Sequence, residues 1–333
     1  MPAAPGPLLP AEAWAMADKK PSAALAFVDL TRVFYFGPAV FSIFLLGAVL
    51  AMPDGPHWSA LIRVVFLGLV GFSGGFVLND WADREADRAM LTAGARDPEY
   101  LRQLRRERPF TGTRPIAAGI VSPNAGLAFA LALIGISAIV ALTFPAPHRW
   151  YLLAIIAIST VLEPAYCTVK HRQRRFPFAT FMSAYLVGIC PPAGYLAIRR
   201  PDLTALLLLA SVYLWEFGFN QLYDTVDADN DRVRGITTLT TLLGLRFVAG
   251  WCFVLSVLAT ASFVAVWRVT HSGIAMLAGI CAAAVLMIGA DGYFFFRPRV
   301  RVGRAGITIH QVYLMLMVAA TVLDTILRWR HVY

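Results

Sequence analysis

DWADREADR at residues 80–88 and DTVDADNDR at residues 224–232 share the pattern D-x-x-D-x-x-x-D-R, and each follows directly on a long apolar run. Working outward from them, the chain is far more hydrophobic than a soluble domain. Of its 333 residues 58% are hydrophobic and only 15% charged, with a mean hydropathy of +0.64. Soluble domains average about 45–50% apolar and ~25% charged residues. Apolar segments of roughly 20 residues, the length that crosses a hydrocarbon core, recur at 33–52, 59–79, 124–144, 149–167, 178–198, 203–223, 247–267, 273–295 and 309–328. The expectation is an all-α polytopic membrane protein with nine transmembrane helices, a membrane domain over 33–328, an N-terminal segment 1–32 and a short C-terminal tail 329–333.

An odd number of spans puts the termini on opposite sides. With the N-terminus inside, the inner segments carry 22 Lys and Arg against 6 outside, the latter including Arg149 and Arg328 at the outer ends of their spans, and Arg63 lies deeper within a span. Positive charge concentrates on the cytoplasmic side, so the N-terminus and the loops 80–121, 168–177 and 224–246 are expected there. The net charge of +9 resides mostly in these loops. It fits anionic headgroups or a phosphorylated substrate and argues against nucleic acid. Residues 1–30 lack the apolar core with basic flanks of a cleaved signal peptide; stretch 11–31 reads either as a surface amphipathic helix or as a loose tail. Cys167, Cys190, Cys252 and Cys281 show no metal or redox spacing and read as small buried apolar residues.

The two acidic stretches end spans 2 and 6, on the same side and four spans apart. Spans 1–4 and 5–8 therefore read as two copies of a four-helix unit in parallel orientation, with span 9 added. On a helix, positions i, i+3 and i+7 share a face, which gathers Asp80, Asp83 and Asp87, and likewise Asp224, Asp227 and Asp231. Three like charges beside a bilayer are costly to desolvate, and divalent cations neutralise them. Mg²⁺ is held by one or two carboxylates with phosphate oxygens and water, so two such patches suit the clamping of a diphosphate through its metals. One acidic run is most simply a hydrated helix end; two of identical spacing at equivalent positions are not. Neither has the mid-loop Gly and terminal Glu of an EF-hand.

Opposite charge lies nearby. Lys170, the only lysine after residue 20, stands four residues after Tyr166 and offers a compact ammonium. Arg172, Arg174 and Arg175 read instead as positive-inside anchors. Arg114, in TGTRPIAAGIVSP (111–123), sits on a shaped turn and is suited to bidentate phosphate contact. Glu163 shares a helical face with Tyr166 and Lys170; it is either functional or paired with a local arginine. Glu216 and Asn220 align towards Asp224 in the same way, as candidate acceptor or cavity residues. Asp291 and Asp324 read as structural or gating groups.

These motifs resemble those of the UbiA superfamily of intramembrane prenyltransferases. Asn79-Asp80-x-x-Asp83-x-x-x-Asp87 is similar to the family's NDxxDxxxD, and Asp227-x-x-x-Asp231 with its trailing Gly235-Ile236 to the second acidic motif. Tyr166-x-x-x-Lys170 looks like its YxxxK, and Arg114-Pro-x-x-x-Gly119 like its RPxxxG. The resemblance implies nine helices around a central cavity, two cytoplasmic Asp-rich cap loops, and Mg²⁺-dependent transfer of an isoprenyl group from a prenyl diphosphate. The small-molecule acceptor is commonly an aromatic ring, a lipid being the other choice. It makes Asn79, Asp83, Asp227 and Asp231 first-line metal ligands, with Asp80, Asp87 and Asp224 in support; Lys170, Tyr166 and Arg114 become diphosphate contacts. Asp83, Asp87, Asp227, Asp231 and Lys170 carry catalysis. The aromatic run Val33-Phe34-Tyr35-Phe36 either lines the cavity, where π faces stabilise an allylic cation, or belongs to an interfacial belt.

Two departures stand out. The chain between Asp87 and Arg114 is longer than in the 4-hydroxybenzoate enzymes, and DPEYLRQLRRER (97–108) reads as a charged surface helix that caps the cavity or bears on acceptor choice. Thr237-Thr238 replaces the Lys-Ser that often follows Gly-Ile. RPIAAG and AYC…KH also resemble the branch that transfers phosphoribosyl to a polyprenyl phosphate, but the intact second acidic motif counts against that branch. A terpene cyclase would use the same metals without an acceptor. A secondary transporter would place its charges near the bilayer midplane, and here they sit at one face.

Overall fold

A computed structural model describes residues 22–92, 98–173 and 175–330, which leaves most of stretch 11–31, residue 97 and residues 331–333 of the tail outside the described residues. Among the described residues 82% are helical and none forms a strand. Among the described residues, eight helical stretches are long and apolar enough to cross a membrane: Ala23–Leu50, Trp58–Ala82, Pro123–Leu142, His148–Arg172, Leu203–Asp229, Leu245–Val269, Ile274–Phe296 and Val300–Trp329. The protein is an integral, multi-pass membrane protein.

The expected span at 178–198 is the exception. It divides into α8 (Phe178–Gly188) and α9 (Cys190–Leu196). Pro191 and Pro192 lack the N–H groups that would continue the helical ladder, and the Ile189 N–H turns back to Tyr185 and Val187. The remaining elements are α1 (Ala23–Thr31), α2 (Val33–Leu50), α3 (Trp58–Ala82), α4 (Arg84–Thr92), α5 (Pro98–Glu107), α6 (Pro123–Leu142), α7 (His148–Arg172), α10 (Leu203–Arg234), α11 (Leu239–Leu243), α12 (Leu245–Val269), α13 (Ile274–Phe296) and α14 (Val300–Trp329).

The chain forms two compact units: residues 1–37 with 73–132, and residues 38–72 with 133–333. In the first, α1 and α2 meet at Arg32, whose backbone is left-handed (φ 51°, ψ 21°). A bulky L-residue adopts that conformation at a cost of ~1–2 kcal/mol. Phe27 packs edge-on against Phe129, and Phe36 lies 4.9 Å from Phe76.

The second unit is organised around α10, which packs against α8, α9, α12 and α14, while α12, α13 and α14 pack in sequence. Asp202 caps α10, accepting from the Ala205 N–H (3.1 Å) and from the Tyr195 hydroxyl (2.6 Å). Small residues let backbones meet, as in other membrane helix pairs. A Cβ on Gly47 would stand 1.8 Å from the Pro191 carbonyl oxygen, and one on Gly279 would stand 2.0 Å from Ala320 Cβ.

Polar side chains inside this unit are tied down. Asp291, fully buried on α13, accepts from Ser256 on α12 and pairs with His310 Nε2 on α14 at 2.9 Å. Trp215 Nε1 on α10 donates to the His310 carbonyl at 3.1 Å. Asp324 caps α13, accepting from the Gly273 and Met276 N–H groups at 2.9 and 3.2 Å, and meets Arg328 at 3.2 Å. Both aspartates act structurally.

Candidate functional site: two acidic motifs and their cations

The first motif straddles a joint. α3 ends at Ala82 and α4 starts at Arg84, yet Asp83 N–H still bonds the Asn79 carbonyl and Asp87 N–H the Asp83 carbonyl, each at 2.9 Å. The helical spacing survives the bend, and Asp80, Asp83 and Asp87 are all buried. Buried acids demand partners. Arg114 meets Asp87 at 2.5 Å. Burial pushes the Asp87 carboxyl above its usual range despite Arg114, and the neighbouring Asp80 and Asp83 charges push the same way.

Asp80 is held by two arginines that the sequence reading missed. Arg108 bonds both of its oxygens, at 2.9 and 2.8 Å, and Arg32 reaches Oδ1 at 2.5 Å. Arg108 is fully buried; burial pulls its guanidinium below the usual arginine range, with Asp80 opposing. Arg32 also lies over the Phe76 ring at 4.9 Å. The stretch read as a charged surface helix is thus amphipathic: α5 turns Arg102, Arg105 and Arg106 outward and Leu104 inward, followed by the buried Arg108. For Arg108 the signal available was its place directly before Pro109 and four residues after Leu104.

The RPxxxG spacing has a local cause. Residues 114–119 make one helical turn, with the Ala118 N–H on the Arg114 carbonyl. Pro115 suits the first position of such a turn. Gly119, at φ +73°, closes it and lets the Ile120 N–H return to the Pro115 carbonyl at 2.9 Å. Thr111 and Phe110 are anchored to the buried Asp29 of α1.

The second motif lies within one helix. α10 runs on through 224–234, so the stretch expected as a loop is helical, and Asp224, Asp227 and Asp231 do share a face. Asp224 is half-buried, Asp227 exposed and Asp231 buried. Gly235 ends the helix in the left-handed conformation (φ 67°), with its N–H on Arg232 and the Ile236 N–H on Asp231. This is the Schellman closure and accounts for the Gly-Ile pair. Thr238, where a basic or serine contact was expected nearby, caps α11 through a reciprocal pair with Thr241.

α7 carries the whole Tyr166–Lys170 motif on its last turns. Lys170 Nζ stands 5.9 Å from the Tyr166 ring centre, and Lys170, Asp227 and Asp231 all act electrostatically on Asp224. Glu216 is buried and is bonded by Asn220, which also donates to Ser183 Oγ at 3.2 Å. Glu163 is half-buried, seven residues before Lys170 on α7.

Every candidate metal ligand in these motifs offers oxygen: the carboxylates and the Asn79 amide carbonyl. That donor set suits hard cations such as Mg²⁺. Among the described residues no three His, Cys, Asp or Glu side chains are gathered closely enough to hold a metal ion alone. Mg²⁺ held by one or two such carboxylates takes the rest of its shell from phosphate oxygens and water.

The UbiA prenyltransferase family model matches residues 40–323. A 4-hydroxybenzoate octaprenyltransferase from Ralstonia nicotianae is 28% identical over 262 residues, covering 77% of this chain and 78% of the relative. A digeranylgeranylglyceryl phosphate synthase from Thermococcus kodakarensis is 26% identical over 307 residues, 91% and 99% of the respective lengths. Among solved structures, the UbiA homologue of Aeropyrum pernix in its apo state superposes with a TM-score of 0.67 at 20% identity, covering 87% of this chain and 98% of that one. The Archaeoglobus fulgidus homologue bound to GPP and Mg²⁺ gives 0.56 at 13% identity, with coverages of 88% and 99%. Sequence motifs, helical architecture and family match agree: the chain belongs to the UbiA prenyltransferase family.

Proposed function

We propose that the protein transfers an isoprenyl group from a prenyl diphosphate to an aromatic acceptor within the membrane, releasing diphosphate with the aid of Mg²⁺. The observation that carries this reading is that each unit matches an acidic motif with its own cation: Asp87 with Arg114 in one, Asp224 with Lys170 in the other. Asn79, Asp83, Asp227 and Asp231 are the first-line metal ligands, with Asp87 and Asp224 in support; Asp80, which the family resemblance also puts in support, is bound by Arg32 and Arg108 instead. Mg²⁺ bound there would neutralise charge on the departing diphosphate. Arg114, Lys170 and Tyr166 bind its oxygens; their charges are fixed before the C1–O bond breaks, where they stabilise the leaving group most. Glu216 and Asn220, within the apolar helices, contribute to acceptor positioning. The family fold supports nine membrane-embedded segments around a central cavity, α8 and α9 making the broken one. The excess of Lys and Arg on one side supports cytoplasmic placement of the N-terminus and of both motifs.

A lipid acceptor is the second reading, favoured by the relative from Thermococcus kodakarensis, whose alignment spans 91% of this chain. Mass spectrometry of products from donors of several lengths, offered with aromatic or glycerophosphate acceptors or with none, decides between them. A hydrocarbon formed without acceptor would overturn the transferase reading. Asp83→Ala and Asp227→Ala are each expected to abolish turnover, as is chelation of Mg²⁺, with folding retained. Near-normal activity in either variant would remove the metal role of that motif.

A further inference from the structure

We infer that Asp80, although it lies inside the first acidic motif, is an arginine anchor and not a metal ligand, and that Arg108 is a positioning residue acting through it. The inference rests on the metal-dependent reading of the acidic motifs given above.

Both Asp80 oxygens are already occupied: Oδ1 accepts from Arg32 and Arg108, Oδ2 from Arg108. The carboxylate is 2% exposed and Arg108 0%. A bidentate arginine–carboxylate pair is among the strongest side-chain contacts, and removing one partner of a buried pair is strongly unfavourable. A divalent cation reaching Asp80 would have to break that pair and also face two guanidinium charges within a few ångströms, where repulsion is weakly screened. Arg32 reinforces the point, because its backbone takes the left-handed conformation at the very residue that sends its side chain to Asp80.

What the pair holds is the turn that carries Arg114. Arg108 accepts the Gly112 N–H on its carbonyl at 2.8 Å, Gly112 taking φ +61°, and Arg114 follows two residues later on Asp87. One end of the 108–114 segment is thus pinned to the α3 terminus by Asp80, and its middle to α1 by Asp29. Loss of Arg108 frees the segment and misplaces Arg114, without removing any group assigned to metal or diphosphate.

The test compares Asp80→Asn with Asp83→Asn, and Arg108→Met with Arg108→Lys, in the purified full-length protein. Mn²⁺ binding is read by electron paramagnetic resonance. Asp80→Asn is expected to stay within about twofold of the parent, whereas Asp83→Asn loses roughly tenfold or more, the scale on which disturbed metal sites weaken. Arg108→Met should raise KM for the prenyl diphosphate more than it lowers kcat. Arg108→Lys should recover that only in part, since it restores the charge without the fork. Equal loss of Mn²⁺ affinity in Asp80→Asn and Asp83→Asn would overturn the inference. Should the parent protein bind no Mn²⁺ and form no product, the proposed function fails by itself. The anchor is then decided by melting temperatures of Asp80→Asn, Arg108→Met and their double variant. A double loss smaller than the sum of the singles upholds it, and additive losses overturn it.

Discussion

Thr111 gives Asp29 Oδ2 both its backbone N–H (2.6 Å) and its hydroxyl (2.7 Å), and the Phe110 N–H reaches Oδ1 at 3.3 Å. A single buried carboxylate on α1 thereby satisfies a chain corner 82 residues away. Asp29→Ala leaves two backbone donors without their acceptor, at a cost of about 1–3 kcal/mol for each such group that stays buried. The expected result is a lower melting temperature in detergent together with weaker donor binding, because Arg114 lies three residues beyond the corner. A variant with parental stability and parental KM would show that the corner holds without Asp29.

Lys170, on α7, acts electrostatically on Asp224. Lys170→Met is expected to raise KM for the prenyl diphosphate on the order of tenfold, equivalent to about 1.4 kcal/mol, while stability barely changes. Steady-state kinetics with a fixed acceptor reads this directly. A change confined to kcat would mean that Lys170 acts on the transition state alone.

The Asp291–His310 pair joins α13 to α14 with both side chains at or below 1% exposure. Asp291→Ala leaves His310 Nε2 without its partner in the buried interior, although the Ser256 hydroxyl keeps the Cys252 carbonyl at 3.0 Å; a buried polar group left unsatisfied costs about 1–3 kcal/mol. Asp291→Asn keeps an acceptor for Ser256 and should cost less. Thermal unfolding of the two variants side by side tests the order; Ala no worse than Asn would contradict it.

Two glycines on α13 should behave in opposite ways. An alanine at Gly279 puts its methyl 2.0 Å from Ala320 Cβ, whereas at Gly289 it meets nothing within 4 Å. Gly279→Ala forces α13 and α14 apart, an overpacking loss of about 1–3 kcal/mol. Gly289→Ala should be neutral or gain up to ~1 kcal/mol from helix propensity. Melting temperatures of opposite sign are the expected outcome.

The apolar runs disclosed eight of the membrane helices to within about five residues, apart from the start of α14 and the end of α10, because lipid leaves the chain few alternatives to a helix. Helix ends were harder to read. DTVDADNDR looks like a loop by composition, yet α10 carries it to Gly235, where left-handed closure stops the helix. The division of α8 from α9 was written in Pro191-Pro192, a signal that the apolar length of 178–198 outweighed. The acidic motifs and the Tyr166–Lys170 pair could be placed on helical faces because their spacing is periodic, and Arg114 stood out by its Pro115 and Gly119. Arg32, Arg108 and Asp29 were not. Their partners lie 48, 28 and 82 residues away, and nothing in the stretch around each of them names a partner at that distance.

α10 also ties the enzyme to the thickness of its bilayer. Its 32 residues span about 48 Å at ~1.5 Å per residue, against a hydrocarbon core of roughly 30 Å. Measured from Leu203, some 20 residues exhaust that core at about Tyr223, which would put Asp224, Asp227 and Asp231 beyond it, towards the headgroups, with Leu203 at the opposite boundary. Lipids with longer acyl chains would then draw the first of these carboxylates into hydrocarbon, and a continuous helix capped at both ends adjusts chiefly by tilting. Turnover should accordingly fall as acyl length increases in otherwise identical proteoliposomes, an acyl-length dependence set by helix geometry alone.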